Sequence, residues 1–183
     1  RQFHQARIKP AAVAPEWCVW SLDIETSVSR DELLSIGIVS DELEVVFVVS
    51  SQEVDDPRVQ TYADEKALLL AFMRFIRRYS PDILIGWSLI NFDLAYLDRR
   101  CRILGLRPSF GIEGKSWQLK SRTAEGRTFI RIPGRVALDG IDLLKVGGYH
   151  FESYSLDHVS GEILQDSKLL HGSGRWQEIE RLH

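Results

Sequence analysis

Three short apolar segments near the start of the chain have the pattern of β-strands. Residues 17–22 are mostly β-branched or aromatic and predict a buried strand that delivers Asp23 to its C-terminal end. Residues 33–39 and 43–49 are two further strand candidates, separated by Ser40-Asp41-Glu42, which indicates an antiparallel hairpin. The pattern therefore predicts a sheet built from three sequential strands.

A helical pattern follows. Thr61 with Asp64 resembles a capping box. The apolar positions at helical spacing are Leu68, Leu69, Phe72, Phe75, Ile76 and Tyr79. We expect this helix to stop near Ser80, because Pro81 disfavours helical geometry in the residue before it. Residues 83–85 predict a fourth, buried strand, so the helix is expected to connect two parallel strands.

The second half of the chain alternates between the same two patterns. Residues 92–104 predict a helix that ends at Gly105, with Leu94, Leu97, Cys101 and Leu104 on one apolar stripe. Residues 107–126 form a basic, irregular segment. Strands are expected at 128–132 and 136–138, and helices from about residues 141, 155 and 175. This order predicts an α/β fold in which helices flank a mixed central sheet.

Length and composition restrict the class of protein. The 183 residues suit a single globular domain, and 44% hydrophobic with 27% charged residues is typical of a soluble fold. No apolar run approaches the roughly 20 residues of a membrane span, so we expect no membrane role. The chain starts at Arg1 without an export signal, and Cys18 and Cys101 match no metal-ligand spacing. We expect a cytoplasmic protein with reduced thiols, and the chain is interpreted as a piece of a longer one.

Charge is unevenly distributed although the net charge is only −3. Residues 16–66 hold thirteen Asp or Glu and three Lys or Arg, whereas 99–135 hold ten Lys or Arg and two Glu. The basic part is either a solvated face or a phosphate-binding surface. Phe110, Trp117 and Phe129 lie within it, as in grooves that bind single-stranded DNA, although each ring could equally belong to the core.

Acidic residues in two segments carry the candidate chemistry. Asp23 and Glu25 are two apart on a predicted strand, so they share a face and could bind a hard cation such as Mg²⁺; the alternative is a solvated strand end. Asp93 starts a predicted helix just after another buried strand, where strand ends gather into a crevice. Its alternative role is that of a helix N-terminal acid favoured by the helix dipole.

These segments resemble the exonuclease motifs of family B DNA polymerases. Residues 21–26, with the sequence SLDIET, are similar to the first motif, and residues 86–97, which contain Phe92-Asp93, are similar to the second. Residues 134–139 and 154–157 are similar to segments that follow the second motif. The resemblance covers nearly the whole chain from Trp17 onward, and within the family it is nearest to the bacterial DNA polymerase II group.

The resemblance implies a ribonuclease-H-like (DnaQ-like) exonuclease fold at 17–183, after a lead-in segment at 1–16. It implies a proofreading domain that removes nucleotides from a single-stranded DNA 3′ end beside the rest of a parent polymerase chain. In this family four carboxylates bind two Mg²⁺ or Mn²⁺ ions, which activate water and stabilise the leaving 3′ oxygen. Carried over by position, Asp23, Glu25 and Asp93 are three of these catalytic ligands.

Two departures from the family pattern are visible. Ser88 stands where the second motif usually has Asn, and no Tyr or His has Asp at the offset of the third motif. We therefore expect the third motif after His183, and a weakly active or inactive fragment. Three acids within the chain could be taken for the missing third-motif Asp, and we interpret them as structural. They are Asp139, Asp142 and Asp157.

The remaining site predictions concern DNA. The residues expected to contact it are Thr26, Ser88, Phe92, Arg122 and Arg127. Two alternatives stay open: a non-catalytic DNA-binding or structural module with the same fold, and a nuclease of this fold that acts on RNA or small phosphoesters.

Overall fold

The structure is a computed structural model that describes residues 5, 7, 9–122 and 127–164. Its strands are β1 Val19–Ser27, β2 Glu32–Val39, β3 Glu44–Val49, β4 Val59–Tyr62, β5 Ile83–Gly86, β6 Gln118–Arg122, β7 Arg127–Arg131 and β8 Val136–Asp139. Six of them form one sheet in the order β4-β3-β2-β1-β5-β8, and β6 pairs with β7 as a separate two-stranded hairpin.

The helices follow the strands in chain order. They are α1 Glu65–Tyr79, a π-helical turn Leu89–Asp93, α2 Leu94–Ile103, a 3₁₀ turn Ile112–Gly114, α3 Gly140–Val146 and α4 Leu156–Leu164. The helix predicted from residue 175 lies outside the described residues. None of the helices in the described ranges combines the length and the apolar character that a membrane span requires.

Strand pairing confirms the mixed sheet. β1, β2 and β3 form an antiparallel meander, as the two predicted hairpin strands require. β1 is parallel to β5, and β5 is parallel to β8, as expected for strands joined by a helical crossover. The carboxyl ends of β1, β5 and β8 therefore lie at one edge of the sheet, which is where ligand sites form in α/β folds.

The hydrophobic core joins the sheet to α1 and α2. Trp20 and Leu22 of β1 are buried against it, and Phe47 of β3 packs edge-on to Phe72 of α1. The buried apolar positions of α2 are Leu94, Leu97 and Cys101, three of the four predicted for its apolar stripe. The fourth, Leu104, follows the helix and is partly buried against the core. The two cysteines are free thiols, and burial raises the pKa of Cys101 to about 12, so this thiol is inert.

Three elements differ from the sequence predictions. β1 continues to Ser27, so Asp23 lies inside the strand and not at its end. Thr61 belongs to the unpredicted strand β4, and Asp64 alone caps α1 by accepting from the Ala67 amide at 2.7 Å. β6 occupies part of the segment predicted to be irregular, because pairing with β7 satisfies a backbone whose sequence has little apolar alternation.

A buried ion pair fastens both core helices to the sheet. The Arg100 guanidinium donates to both carboxylate oxygens of Glu65, each at 2.6 Å, and both side chains are about nine-tenths buried. Glu65 Oε1 also accepts from the Leu33 amide of β2. One carboxylate therefore links α1, α2 and β2.

We expect Arg100→Met to lower the free energy of unfolding by about 3–5 kcal/mol, because it leaves the Glu65 charge buried without its partner. Adding Glu65→Gln, which keeps an acceptor for Leu33, should recover part of this loss. Urea denaturation measures the free energy of unfolding of the wild type and of each variant. Arg30→Met, which removes an exposed pair with Glu32, is the control and should cost little. Equal losses in the two single variants would contradict the prediction.

Candidate active site

The two acids of the first motif lie on one face of β1. Trp20, Leu22 and Ile24 alternate with them and face the core, whereas Asp23 is exposed and Glu25 is half-buried. This confirms the predicted alternation. The register between β1 and β2 shifts directly after Glu25, and such irregularities reorient side chains next to functional sites.

Asp93 reaches β1 from the π-helical turn. Its carboxyl group is 1% exposed, and Oδ1 accepts a hydrogen bond from the Ile24 amide (N···O 3.2 Å). Oδ2 is buried and has no hydrogen-bond partner. Since Ile24 lies between Asp23 and Glu25, this bond joins the second sequence motif to the strand that bears the first.

The position of the bond follows from the sheet. β1 pairs with β5 over Val19–Ser21, and the Ile24 amide lies beyond that paired region. There the Asp93 carboxylate serves as the acceptor that another strand would otherwise provide. The side chain is therefore attached to the backbone of the strand that bears the first motif.

The electrostatics of Asp93 are unusual for an aspartate. Burial raises the pKa of Asp93 from 3.8 to about 8, and the negative charge of Asp23 adds to this effect, with a smaller contribution from Asp139. Burial and neighbouring like charges both disfavour the ionised form. Without a cation the carboxyl group holds its proton near neutral pH.

Close packing holds the π-helical turn against β1. A Cβ at Gly86 would lie 2.6 Å from the Leu22 carbonyl oxygen, so only glycine allows β5 to end this close to β1. Ser88 then adopts a left-handed conformation (φ 58°), and Leu89 is completely buried. Asn tolerates this conformation better than Ser, so the Asn that the resembling motif usually has here would suit the same backbone.

Asp139 caps α3, as the structural interpretation of this residue predicted: Oδ1 accepts from the Ile141 amide at 3.1 Å. The sequence did not predict a second contact of Asp139. Oδ2 accepts from the Ile90 amide of the π-helical turn at 3.0 Å. The available signal was the position of Asp139 at the end of a strand parallel to β5. Asp142 and Asp157 lie in the first turns of α3 and α4, where acids favour the helix dipole.

The predicted DNA contacts occupy different environments. Thr26 is buried in β1, Ser88 begins the π-helical turn, and Phe92 is 44% exposed with its ring beside Tyr96. Arg122 and Arg127 are register partners at the end of the hairpin next to residues 123–126, and their side chains lie outside the described part of the structure. All five stay predictions.

Much of the basic segment is structural. Phe110 and Trp117 are buried and stack on each other, with ring centroids 4.2 Å apart, so the core alternative holds for both. Arg135 is buried and donates to the carbonyls of Phe110, Pro81 and Ile76. Asn91, which was not predicted to act, accepts from the Thr128 amide and attaches the hairpin to the π-helical turn.

Residues 9–122 and 127–164 contain no group of three or more His, Cys, Asp or Glu side chains arranged to hold a metal ion. The local chemistry nevertheless suits a hard cation, because Asp93 Oδ2 is a buried carboxylate oxygen without a partner and Asp23 is near enough to raise the pKa of Asp93. Metal binding by Asp23, Glu25 and Asp93 therefore stays a prediction.

The comparison with known families agrees with the joined motifs. Residues 3–159 match the model for the exonuclease domain of DNA polymerase family B. The chain belongs to this family. The α/β architecture with its flanked mixed sheet is consistent with the ribonuclease-H-like fold of these exonuclease domains.

Three polymerases illustrate the relationship of this exonuclease domain. DNA polymerase II of Escherichia coli (strain K12) is 29% identical over 96% of the chain and 23% of its own length. The DNA polymerase delta catalytic subunit of Plasmodium falciparum (isolate K1 / Thailand) is 35% identical over 58% of the chain and 11% of its own length. A DNA polymerase of Thermococcus sp. (strain 9oN-7) is 33% identical over 50% of the chain and 12% of its own length. The chain thus spans less than a quarter of each relative, and the predicted resemblance is confirmed.

We expect Asp93→Asn to raise the melting temperature increasingly between pH 4 and pH 8 in chelator-containing buffer. The pKa of Asp93 is about 8 in the folded protein and 3.8 ordinarily. The contribution of Asp93 to wild-type stability is therefore fully present below pH 3.8 and is lost as the pH rises towards 8. Asn carries no charge and keeps an oxygen for Ile24. Thermal melts at several pH values measure the effect, with the exposed Asp55→Asn as the matched control. A gain that does not vary with pH would contradict the prediction.

Proposed function

We propose that this domain is a 3′→5′ DNA exonuclease that hydrolyses the terminal phosphodiester with two Mg²⁺ or Mn²⁺ ions. The observation that carries the proposal is the hydrogen bond from the Ile24 amide to Asp93, which unites the two family motifs at one edge of the sheet. Membership of the family B exonuclease domains supports the reaction type.

Asp23, Glu25 and Asp93 would hold the metal ions. The partnerless Asp93 Oδ2 supports this assignment, because a buried carboxylate oxygen is stabilised by a cation. When bound, the ions lower the pKa of a water nucleophile and stabilise the charge of the leaving 3′ oxygen. The role of this chain is to hold three carboxylates on a strand and a buried turn, where they need little reorganisation.

The β6–β7 hairpin offers a surface for the DNA strand. Leu119 and Ile130 are register partners, and Ile130 packs against the core. The opposite face carries exposed Lys120, Phe129 and Arg131, with Lys120 directly across from Phe129. In proteins that bind single-stranded DNA, basic side chains contact the phosphates and exposed rings stack on the bases. The bond from Thr128 to Asn91 connects this surface to the turn that ends in Asp93.

The relatives support a biological role in DNA synthesis. We propose that the domain belongs to a family B DNA polymerase and removes mismatched nucleotides from the 3′ end of the strand being synthesised. The relatives are DNA polymerases of which the chain spans less than a quarter. The remaining polymerase chain would be its covalent partner.

The Asp23→Ala/Glu25→Ala variant should abolish 3′-end digestion and weaken Mn²⁺ binding, because two of the three proposed ligands are removed. Digestion of a 5′-labelled single DNA strand, with an RNA strand of the same sequence beside it, measures activity and substrate choice. Calorimetric titration of Mn²⁺ measures the site even where turnover by this chain is slow.

The matched control is Glu53→Ala/Asp55→Ala, an exposed pair of acids with the same spacing outside the site. This control variant should retain both 3′-end digestion and Mn²⁺ binding. Undiminished digestion by Asp23→Ala/Glu25→Ala would refute the assignment. Binding of the DNA strand by the unmodified chain, with neither Mn²⁺ binding nor digestion, would instead indicate a non-catalytic DNA-binding module.

We expect Lys120→Gln/Arg131→Gln to weaken single-stranded DNA binding and to reduce the salt dependence by about 0.7 in log–log slope for each phosphate that the hairpin no longer neutralises. Phe129→Ala should weaken binding by about 1–3 kcal/mol with little change in that slope, since stacking releases no counterions. Fluorescence anisotropy at several salt concentrations separates the two effects. Lys66→Gln, on exposed α1 surface, is the control. Unchanged salt slopes in the double variant would remove the hairpin from the DNA surface.

A further inference from the structure

The π-helical turn is an unusual way to present a carboxylate. The Leu94 amide donates to the Leu89 carbonyl five residues earlier, so the turn contains one residue more than an α-helical turn. An α-helical turn of the same sequence would rotate Asp93 away from Ile24. The bond between Asp93 and Ile24 therefore depends on the contacts that keep this wide turn π-helical.

The amide groups at the start of a helical segment have no acceptor within that segment. Ile90 lies at the start of the π-helical turn, and its amide donates to Asp139 Oδ2 at 3.0 Å. Asp139 is 3% exposed, so this acceptor is shielded from competing water. The wide turn thus obtains from β8 the acceptor that it lacks.

The other oxygen of Asp139 fixes the carboxylate itself. Oδ1 accepts from the Ile141 amide at 3.1 Å, so the carboxylate bridges the starts of the π-helical turn and α3. Gly86 and Asp139 are register partners of β5 and β8, which places this bridge next to the end of β5. A Cβ at Gly140 would lie 3.0 Å from the Trp87 ring, so the bridge is closely packed.

We propose that Asp139 is a positioning residue for the exonuclease reaction: it holds the π-helical turn in the register that places Asp93 against the Ile24 amide. The inference rests on the proposed function for its effect on activity. Its structural part does not, because it concerns two hydrogen bonds within the chain, those of the Ile90 and Ile24 amides. Asp139 acts through the turn and does not contact the reacting atoms.

The test compares Asp139→Ala and Asp139→Asn with Asp64→Ala. Asp64 caps α1 by accepting from the Ala67 amide, so its replacement removes a helix cap away from the turn and controls for general destabilisation. Hydrogen exchange followed by NMR reports each amide separately. The Phe72 amide of α1 serves as the internal reference for global opening.

In Asp139→Ala we expect the Ile24 and Ile90 amides to exchange about tenfold faster relative to Phe72 than they do in wild type. In Asp64→Ala the ratio should stay at the wild-type value. Asp139→Asn keeps one acceptor oxygen and should recover part of the protection of Ile90. An Ile24 amide that stays as protected in Asp139→Ala as in wild type overturns the inference, whatever the nuclease assay shows.

The functional arm uses the same proteins with the labelled DNA strand and Mn²⁺. Asp139→Ala should lower kcat by roughly ten- to 100-fold, because a displaced ligand disturbs the reacting geometry, while KM for the strand changes little. Asp64→Ala should keep its kcat. A normal kcat in Asp139→Ala overturns the positioning role. A wild type that neither binds Mn²⁺ nor digests DNA refutes the proposed function alone, since the exchange result still decides the structural part.

Discussion

The bond between the Ile24 amide and the buried Asp93 carboxylate is the constraint on which the site depends. Burying a carboxylate is costly unless hydrogen bonds or a cation compensate it. Here one oxygen has a backbone donor and the other has none, and Asp23 adds a like charge nearby. The protein therefore maintains an electrostatically unfavourable group at this edge of the sheet, which is typical of functional sites and atypical of a structural core.

The rest of the fold supports that group from two sides. On one side Gly86 allows β5 to approach β1, and Asp139 anchors the wide turn that carries Asp93. On the other side, the pair between Glu65 and Arg100 fixes α2, which continues directly from Asp93, against α1 and β2. Buried polar groups thus set the position of the turn, whereas apolar packing sets the layers.

The basic segment shows why charge composition alone is a weak guide to DNA binding. Arg100 and Arg135 are buried and satisfied by partners inside the domain, and the rings of Phe110 and Trp117 stack in the core. The β6–β7 hairpin, by contrast, carries exposed basic side chains and an exposed aromatic ring. The same residue types serve the core and the surface, and only their position in the fold separates the two roles.

The sequence by itself determined the elements whose signal is local: the strand alternation of Asp23 and Glu25, the apolar stripe of α2, and the order of strands and helices that predicts a mixed sheet. Its motifs also identified the family. Tertiary structure alone decided that β1 runs on to Ser27, that β6 is a strand, and that Asp139 supports the turn bearing Asp93. The ends of β1 and β6 depend on hydrogen bonds to the next strand along the chain, and Ile90 and Asp139 lie 49 residues apart. The pattern around a single residue does not encode which group elsewhere in the fold satisfies its backbone.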